Sequence, residues 1–200
     1  MTAPTTDPGR SARLFYRAAE SPEDDEFFRA INNDRVGYFN SNGANALLSG
    51  NVRAKEYQNH VMKNVLLGAV ICLQVSASSD EGAKPTPIGA VHLSNTNSTL
   101  SHHRNTEIGI DILPEHQGKG YGGEAIRWVL DWAFRRTNMH KVKIQAFGWN
   151  EGAVRLYERI GFKREGIMRD ELWHDGQYWD SIVLGMLDRE WDEIRALQGT

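Results

Sequence analysis

The chain has almost no cysteine. Cys72 is alone among 200 residues, so no internal disulfide can staple the fold. Its place inside the apolar run 65–75 reads as a buried core thiol rather than a nucleophile. A chain so poor in thiols, with no signal-peptide pattern, reads as intracellular, and the expected compartment is the cytoplasm. No apolar run is long enough to cross a bilayer, so no membrane partner is expected. Positive charge is not in excess either: 23 Lys and Arg stand against 26 Asp and Glu, a net charge of −3. That slight acidity counts a little against a nucleic-acid partner, which needs a basic face, and would suit a cationic substrate. The seven histidines show no ligand spacing, and no metal is expected. No internal repeat is visible.

What remains is an ordinary globular composition, and the length suits one domain burying roughly 70% of its unfolded surface. Residues 1–12, rich in Thr, Pro, Gly and Asp and without period, read as a flexible arm ahead of a single domain at 13–200. Strands are expected at 13–19, 65–75, 87–93, 106–113 and 141–147. A closing hairpin, 162–173 and 178–187, turns at His174-Asp175-Gly176-Gln177. A first helix runs to about residue 33, with Ser21 as N-cap, Pro22 at its first position and acids in its first turn. Further helices are expected at 52–63, 124–137, 150–160 and 189–197. Residues 34–50 read as irregular, and 76–87 and 94–105 as polar loops. The order predicts an α/β fold of the α+β type: one mixed, mostly antiparallel sheet with helices on both faces.

The stretch Gln117-Gly118-Lys119-Gly120-Tyr121-Gly122-Gly123 lies between a strand and a helix. Glycines let the backbone approach a ligand closely. The first N–H groups of the following helix lack internal partners and, with the positive end of the helix dipole, form an anion site. A purely structural turn is one reading. A Walker loop is excluded because no Gly-Lys-Ser/Thr closes the run. Gly118, Gly120 and Gly123 also spell the dinucleotide pattern G-x-G-x-x-G. That reading lacks its context: Pro114, Glu115 and His116 separate the strand from the loop, and the next strand ends in Gly148-Trp149 without a carboxylate for a ribose. A coenzyme A pyrophosphate loop is the third reading.

Two motifs carry the third reading. Gln117, Gly120 and Gly122 fit Gln/Arg-x-x-Gly-x-Gly/Ala. Downstream stands Asn150-x-x-Ala153-x-x-Leu156-Tyr157-x-x-x-Gly161-Phe162. In these the chain resembles the GNAT superfamily of N-acetyltransferases over nearly all its length after the first dozen residues. Arg164-Glu165-Gly166, Asp175-Gly176-x-x-x-Asp180 and Leu187-Asp188-x-Glu190-Trp191 are similar to its RimJ/RimL-type branch.

The resemblance implies an acetyl-CoA-dependent transfer of acetyl to a primary amine, from a small molecule, a polyamine or a peptide N-terminus, by direct attack in a ternary complex. It implies that Ile110, Asp111 and Ile112 bond the pantetheine arm through their backbone. Gly118 to Gly123, including Lys119 and Tyr121, would hold the pyrophosphate, with Gln117 completing the loop. Asn150 would touch the pantetheine arm as well as cap its helix. Tyr157 would face the sulfur and protonate the departing thiolate, although a helical tyrosine can equally be a core aromatic. Glu107 would serve as general base through a water, although it can equally be a solvated strand-end carboxylate. Asp111, on the same face, is the weaker base candidate because such strands usually bulge. Acceptor choice is expected in 21–64, 94–105 and 174–177; Glu23, Asp24 and Asp25 could attract a polyamine but are better read as acids favoured at a helix N-terminus. A monomer or homodimer is expected. A non-catalytic coenzyme A-binding module is the rival class, and a nicotinamide oxidoreductase a distant third.

Overall fold

The computed structural model describes residues 7–44, 48, 50–74 and 85–198. Residues 1–6 of the expected arm and most of the expected loop at 76–87 lie outside them. Seven strands form one sheet: β1 (Leu14–Arg17), β2 (Val65–Leu73), β3 (Pro87–Ser94), β4 (Asn105–Ile112), β5 (Lys141–Phe147), β6 (Lys163–His174) and β7 (Gln177–Leu187). Their spatial order is β1-β2-β3-β4-β5-β7-β6. Every neighbouring pair is antiparallel except β4 and β5. That parallel pair is joined only at Asn105↔Lys141, Thr106↔Val142 and Glu107↔Lys143. Beyond Glu107 no pairing joins the two strands, so the sheet splits along its middle and leaves a cleft.

The two faces follow from period-2 alternation in the strands. On one face, Ile71, Val91, Leu93, Ile108, Val142, Ile144, Leu184 and Met186 pack against Ile126, Val129 and Leu130 of α4 (Tyr121–Arg135). Val154, Tyr157 and Ile160 of α5 (Glu151–Ile160) join this core, as does Trp191 of α6 (Asp188–Gln198). On the other face, Val70, Cys72 and Ala90 meet Phe27, Phe28 and Ile31 of α1 (Asp25–Asn33) and Val61 of α3 (Asn51–Lys63). Cys72 is buried, as its apolar run predicted.

Several boundaries differ from the sequence reading. The first helix starts at Asp25; Ser21 to Asp24 form a turn, and Asp24 stands at the N-cap without a side-chain capping bond. Its carboxylate turns inward to take both ends of the Arg17 guanidinium, at 2.8 and 2.6 Å, and the Glu20 N–H at 2.8 Å. Burying a paired acid outweighs the helix-dipole role expected for it. The span 34–50 contains a helix, α2 (Arg35–Ser41), and 94–105 holds a 3-10 turn, Ser98–His103. The helix after the glycine loop begins at Tyr121, three residues early. Residues 8–13, which the arm was expected to include almost to its end, are tied down: Trp128 donates to the Pro8 carbonyl, and Ser11 Oγ to Glu124.

Candidate active site

The split between β4 and β5 opens into a cleft of about 1280 Å³. One wall is the glycine loop. Gly118 and Gly120 both have positive φ, 69° and 83°, which favours glycine at these positions. Gly120 is the N-cap of α4 and its carbonyl accepts from Glu124, so the N–H groups of Tyr121, Gly122 and Gly123 precede the first intrahelical bond. Gly123 serves a second purpose, because a Cβ there would come within 3.3 Å of Leu156 of α5. The Gln117 amide donates to the Ile112 carbonyl at 2.8 Å and pins the loop to the strand end.

Arg13 braces the loop from the other side, a role no motif announced. Its guanidinium donates to the Lys119 carbonyl at 3.0 Å and to Glu124 at 2.8 Å, and lies 4.7 Å from the Tyr121 ring centre. Lys119 contributes that carbonyl but is not among the residues lining the cleft. The other expected loop positions line it, together with Glu107, Ile110, Asp111, Ile112, Asn150 and Tyr157. Asn150 caps α5, its Oδ1 accepting from Ala153 N at 3.2 Å. Tyr157 is 8% exposed. Burial, and secondarily the negative charge of Asp111, push its phenol up to about 12, so it keeps its proton throughout the neutral range.

The β4 face turned away from α4 carries Glu107, Gly109 and Asp111. The bulge expected there is absent between Ile108 and Ile112, where β4 pairs with β3 without a register shift. Asp111 therefore stays on the Glu107 side, and Tyr57 of α3 donates its hydroxyl proton to Asp111 Oδ2 at 2.6 Å. Burial raises the Asp111 carboxyl, with hydrogen bonds from Tyr57 and Ser41 acting against it. Burial and then Asp111 itself keep Tyr57 well above the usual phenol range. His92 on β3 lies over Gly109, where any Cβ would overlap its ring. Its Nδ1 is buried without a hydrogen-bond partner among the described residues. Burial and then the neighbouring His60 push it down to about 4, so it is neutral near pH 7.

The far wall is α2, held by a hydrogen bond from Trp149 Nε1 to Asn40 Oδ1 at 3.0 Å. Trp149 in turn stacks on His174, with ring centres 4.3 Å apart. Of the segments expected to choose the acceptor, 21–64 lines the cleft from Ile31 to His60. The second contributes Ser94, and the third is replaced by Glu171 and Leu172 just before it.

Residues 13–163 match the Acetyltransferase (GNAT) domain family. The chain belongs to the GNAT acetyltransferase family. Its mixed, mostly antiparallel 7-stranded sheet with helices is the fold of GNAT structural neighbours. A spermidine N(1)-acetyltransferase of Vibrio cholerae is 40% identical over 100 residues, 50% of this chain and 56% of the relative. A putative ribosomal N-acetyltransferase of Bacillus subtilis, YdaF, is 38% identical over 90 residues, 45% of this chain and 49% of the relative. The chain spans about half the length of the curated relatives it matches. A crystal structure of spermidine N-acetyltransferase from Vibrio cholerae in complex with CoA and spermine superimposes with a TM-score of 0.72 at 30% identity, covering 90% of this chain and 99% of that one.

The GNAT motifs locate the loop and Tyr157 by local sequence. Tyr57, His92 and Arg13 escaped because each acts through a distant residue. Tyr57 reads as part of a helix stripe until Asp111, 54 positions on, is brought beneath it. Among the described residues no cluster of His, Cys, Asp and Glu could hold a metal ion, and no helix is long and apolar enough to cross a membrane.

Proposed function

We propose that this chain transfers the acetyl group of acetyl-CoA to a primary amine by direct attack, with both substrates in the cleft between β4 and β5. The observation that carries the reading is the convergence of the glycine loop and Tyr157 on that cleft. The loop fits a pyrophosphate: its N–H groups and the helix dipole favour a dianion, and glycine at 118 and 120 leaves no side chain in the approach while adopting the positive φ found there. Acetyl-CoA supplies an activated acyl carbon. The protein binds and orients both reactants, and much of the rate comes from that positioning. The backbone of Ile110 to Ile112 and the Asn150 side chain are the proposed holds on the pantetheine arm.

Proton movement divides into two tasks. An alkyl ammonium near pKa 10.4 costs roughly 5 kcal/mol to deprotonate at pH 7; Glu107 and Asp111, both on the β4 face, are the carboxylates available for it. On the leaving side, a thiol near 8.5 is a stronger acid than a phenol near 12, so full transfer from Tyr157 to the thiolate is uphill by ~5 kcal/mol. Tyr157 therefore donates a hydrogen bond to the developing thiolate. It yields its proton only as the proton taken from the amine replaces it.

A polyamine is the proposed acceptor class, supported by the spermidine acetyltransferases among the relatives and by a cleft edged with Asp34, Glu56, Glu107, Asp111 and Glu171. A peptide N-terminus is the second, supported by YdaF and by the hairpin features of the RimJ/RimL-type branch. The test is thiol release from acetyl-CoA with spermidine, spermine and a short peptide bearing a free N-terminus. One class should turn over, and Tyr157→Phe should lose on the order of 100-fold in kcat. Coenzyme binding without turnover on any amine would support a non-catalytic module; no coenzyme binding would sink the reading altogether.

A further inference from the structure

Glu107 and Asp111 differ in everything but their face. The Glu107 side chain makes no hydrogen bond or ion pair among the described residues, and it also borders a second, smaller hollow with Ser94, His103 and Lys143. Asp111 is enclosed. Tyr57 of α3 donates to it at 2.6 Å, Ser41 of α2 and Asp34 at the N-cap of that helix act on it, and Tyr157 of α5 feels its charge. On β3 it pairs with Ala90, and His92 stands two residues further along that strand, its ring centre 6.1 Å from that of Tyr57. His60 lies beyond His92, with ring centres 5.0 Å apart.

We propose that Asp111, held by Tyr57, is the base that takes the amine proton, while Glu107 guides the incoming cation at the cleft edge. This rests on the acetyltransferase reading above. The step balances with water as the final proton sink. One ammonium N–H bond breaks, and an O–H bond forms on the Asp111 carboxylate. The freed nitrogen pair attacks the acyl carbon, the carbon–sulfur bond breaks, and the thiolate takes the Tyr157 proton as the Asp111 proton replaces it on the phenol, so both side chains return to their starting forms. The acylated nitrogen, now strongly acidic, loses its second proton to water and leaves the neutral amide. Tyr57 acts through Asp111 and is a positioning residue. Its hydrogen bond favours the ionised carboxylate, so its removal must shift the titration of Asp111 upward. Among the described residues the titratable groups around this carboxylate are Asp34, Tyr57, His92, Tyr157 and Glu107, with Arg53, Glu56, His60 and Arg159 also lining the cleft, and no ammonium or guanidinium forms an ion pair with Asp111.

The experiment measures kcat and kcat/KM against pH for wild type, D111N, Y57F and E107Q with acetyl-CoA and the amine that turns over. Coenzyme affinity and thermal midpoint serve as checks that each variant is folded. D111N should lose on the order of 10²–10⁴ in kcat while retaining coenzyme affinity. Y57F should move the acidic limb of the profile to higher pH, a shift that titration of the free amine cannot produce. E107Q should raise KM more than it lowers kcat and should keep the acidic limb. A carbon-13 NMR titration of aspartate-labelled wild type and Y57F, with D111N to assign the signal, needs no turnover. It should show Asp111 titrating above the ordinary carboxylate range and higher still in Y57F. The assignment falls if D111N keeps kcat within a few-fold of wild type, if E107Q alone abolishes the acidic limb, or if the Asp111 carboxyl titrates normally. Absence of turnover on every amine would overturn the acetyltransferase reading instead, and the NMR titration would still judge Asp111.

Discussion

A single carboxylate shows how far local chemistry can mislead. Asp24 has the sequence position of an N-terminal acid, yet it is 2% exposed and holds Arg17 in a two-pronged ion pair. Its neighbour Asp25 is engaged by Lys55 at 2.8 Å. Neither is a free charge awaiting a polyamine. Removing one partner of a buried pair strands the other, so Asp24→Asn should destabilise the fold by about 3 kcal/mol at pH 7. Burial acts to raise the Asp24 carboxyl, but Arg17 and the Glu20 N–H outweigh it and hold it below the usual range. A depressed carboxylate contributes stability above its unfolded pKa, near 3.9, and loses it as pH falls through the folded value. The gap between Asp24→Asn and wild type should therefore be full at neutral pH and narrow below about pH 4. Urea unfolding at both pH values measures this; an equal gap in acid would mean that the carboxylate charge is not what stabilises the turn.

The legible elements were those whose signals are local. α4 and α5 show apolar spacing, Asn150 is a cap, and Asp175-Gly176 sits in a turn with positive φ at both residues. α2 was not legible. It has seven residues, a glycine inside and one buried side chain, Tyr38, so no apolar stripe marks it; its contacts to Trp149 and the β5 end hold it instead. The same holds for the glycine loop's brace. The N–H groups of α4 are written in its sequence, but the conformation that aims them is held from the segment leading into β1, more than 100 residues earlier. Glu124 accepts from Ser11 Oγ at 2.7 Å, Arg13 N at 2.7 Å and Arg13 Nε at 2.8 Å. Trp128, one turn on, stacks on Tyr16 with ring centres 3.8 Å apart. Glu124→Ala should free Arg13 from the Lys119 carbonyl and loosen the loop. We expect a stability loss of about 1–3 kcal/mol and a coenzyme affinity weakened by roughly tenfold, equivalent to ~1.4 kcal/mol. Calorimetric titration with coenzyme A reads the second effect. A stability loss with unchanged affinity would make the brace purely structural.

At the scale of the molecule, the sheet is two half-sheets joined by a short seam. β1 to β4 carry α1 and α3; β5, β7 and β6 form the other half; α4 and α5 reach the same core from one face. Only three residue pairs link β4 to β5, and beyond them the backbone edges of both strands face the cleft. Unpaired N–H and C=O groups at such a position need a partner or water, and a pantetheine arm with its two amides is of the right kind to lie between them. Coenzyme A would then complete the seam as well as serve the reaction, making contact with both halves. A ligand that binds only the folded state adds about 2.7 kcal/mol at a hundredfold excess over its Kd. For a chain of this length, 1 kcal/mol moves the midpoint by about 2–4 °C. Saturating coenzyme A should therefore raise the midpoint by roughly 5–11 °C. Adenosine 3′,5′-bisphosphate, which keeps phosphates but lacks the arm, should bind more weakly and fall well short of that shift at the same concentration, because any tightening of the seam by strand-edge bonds is contained in the lower Kd of coenzyme A. Equal shifts at equal concentration would mean that the arm adds nothing to binding, and that the open edges of β4 and β5 are not where it lies.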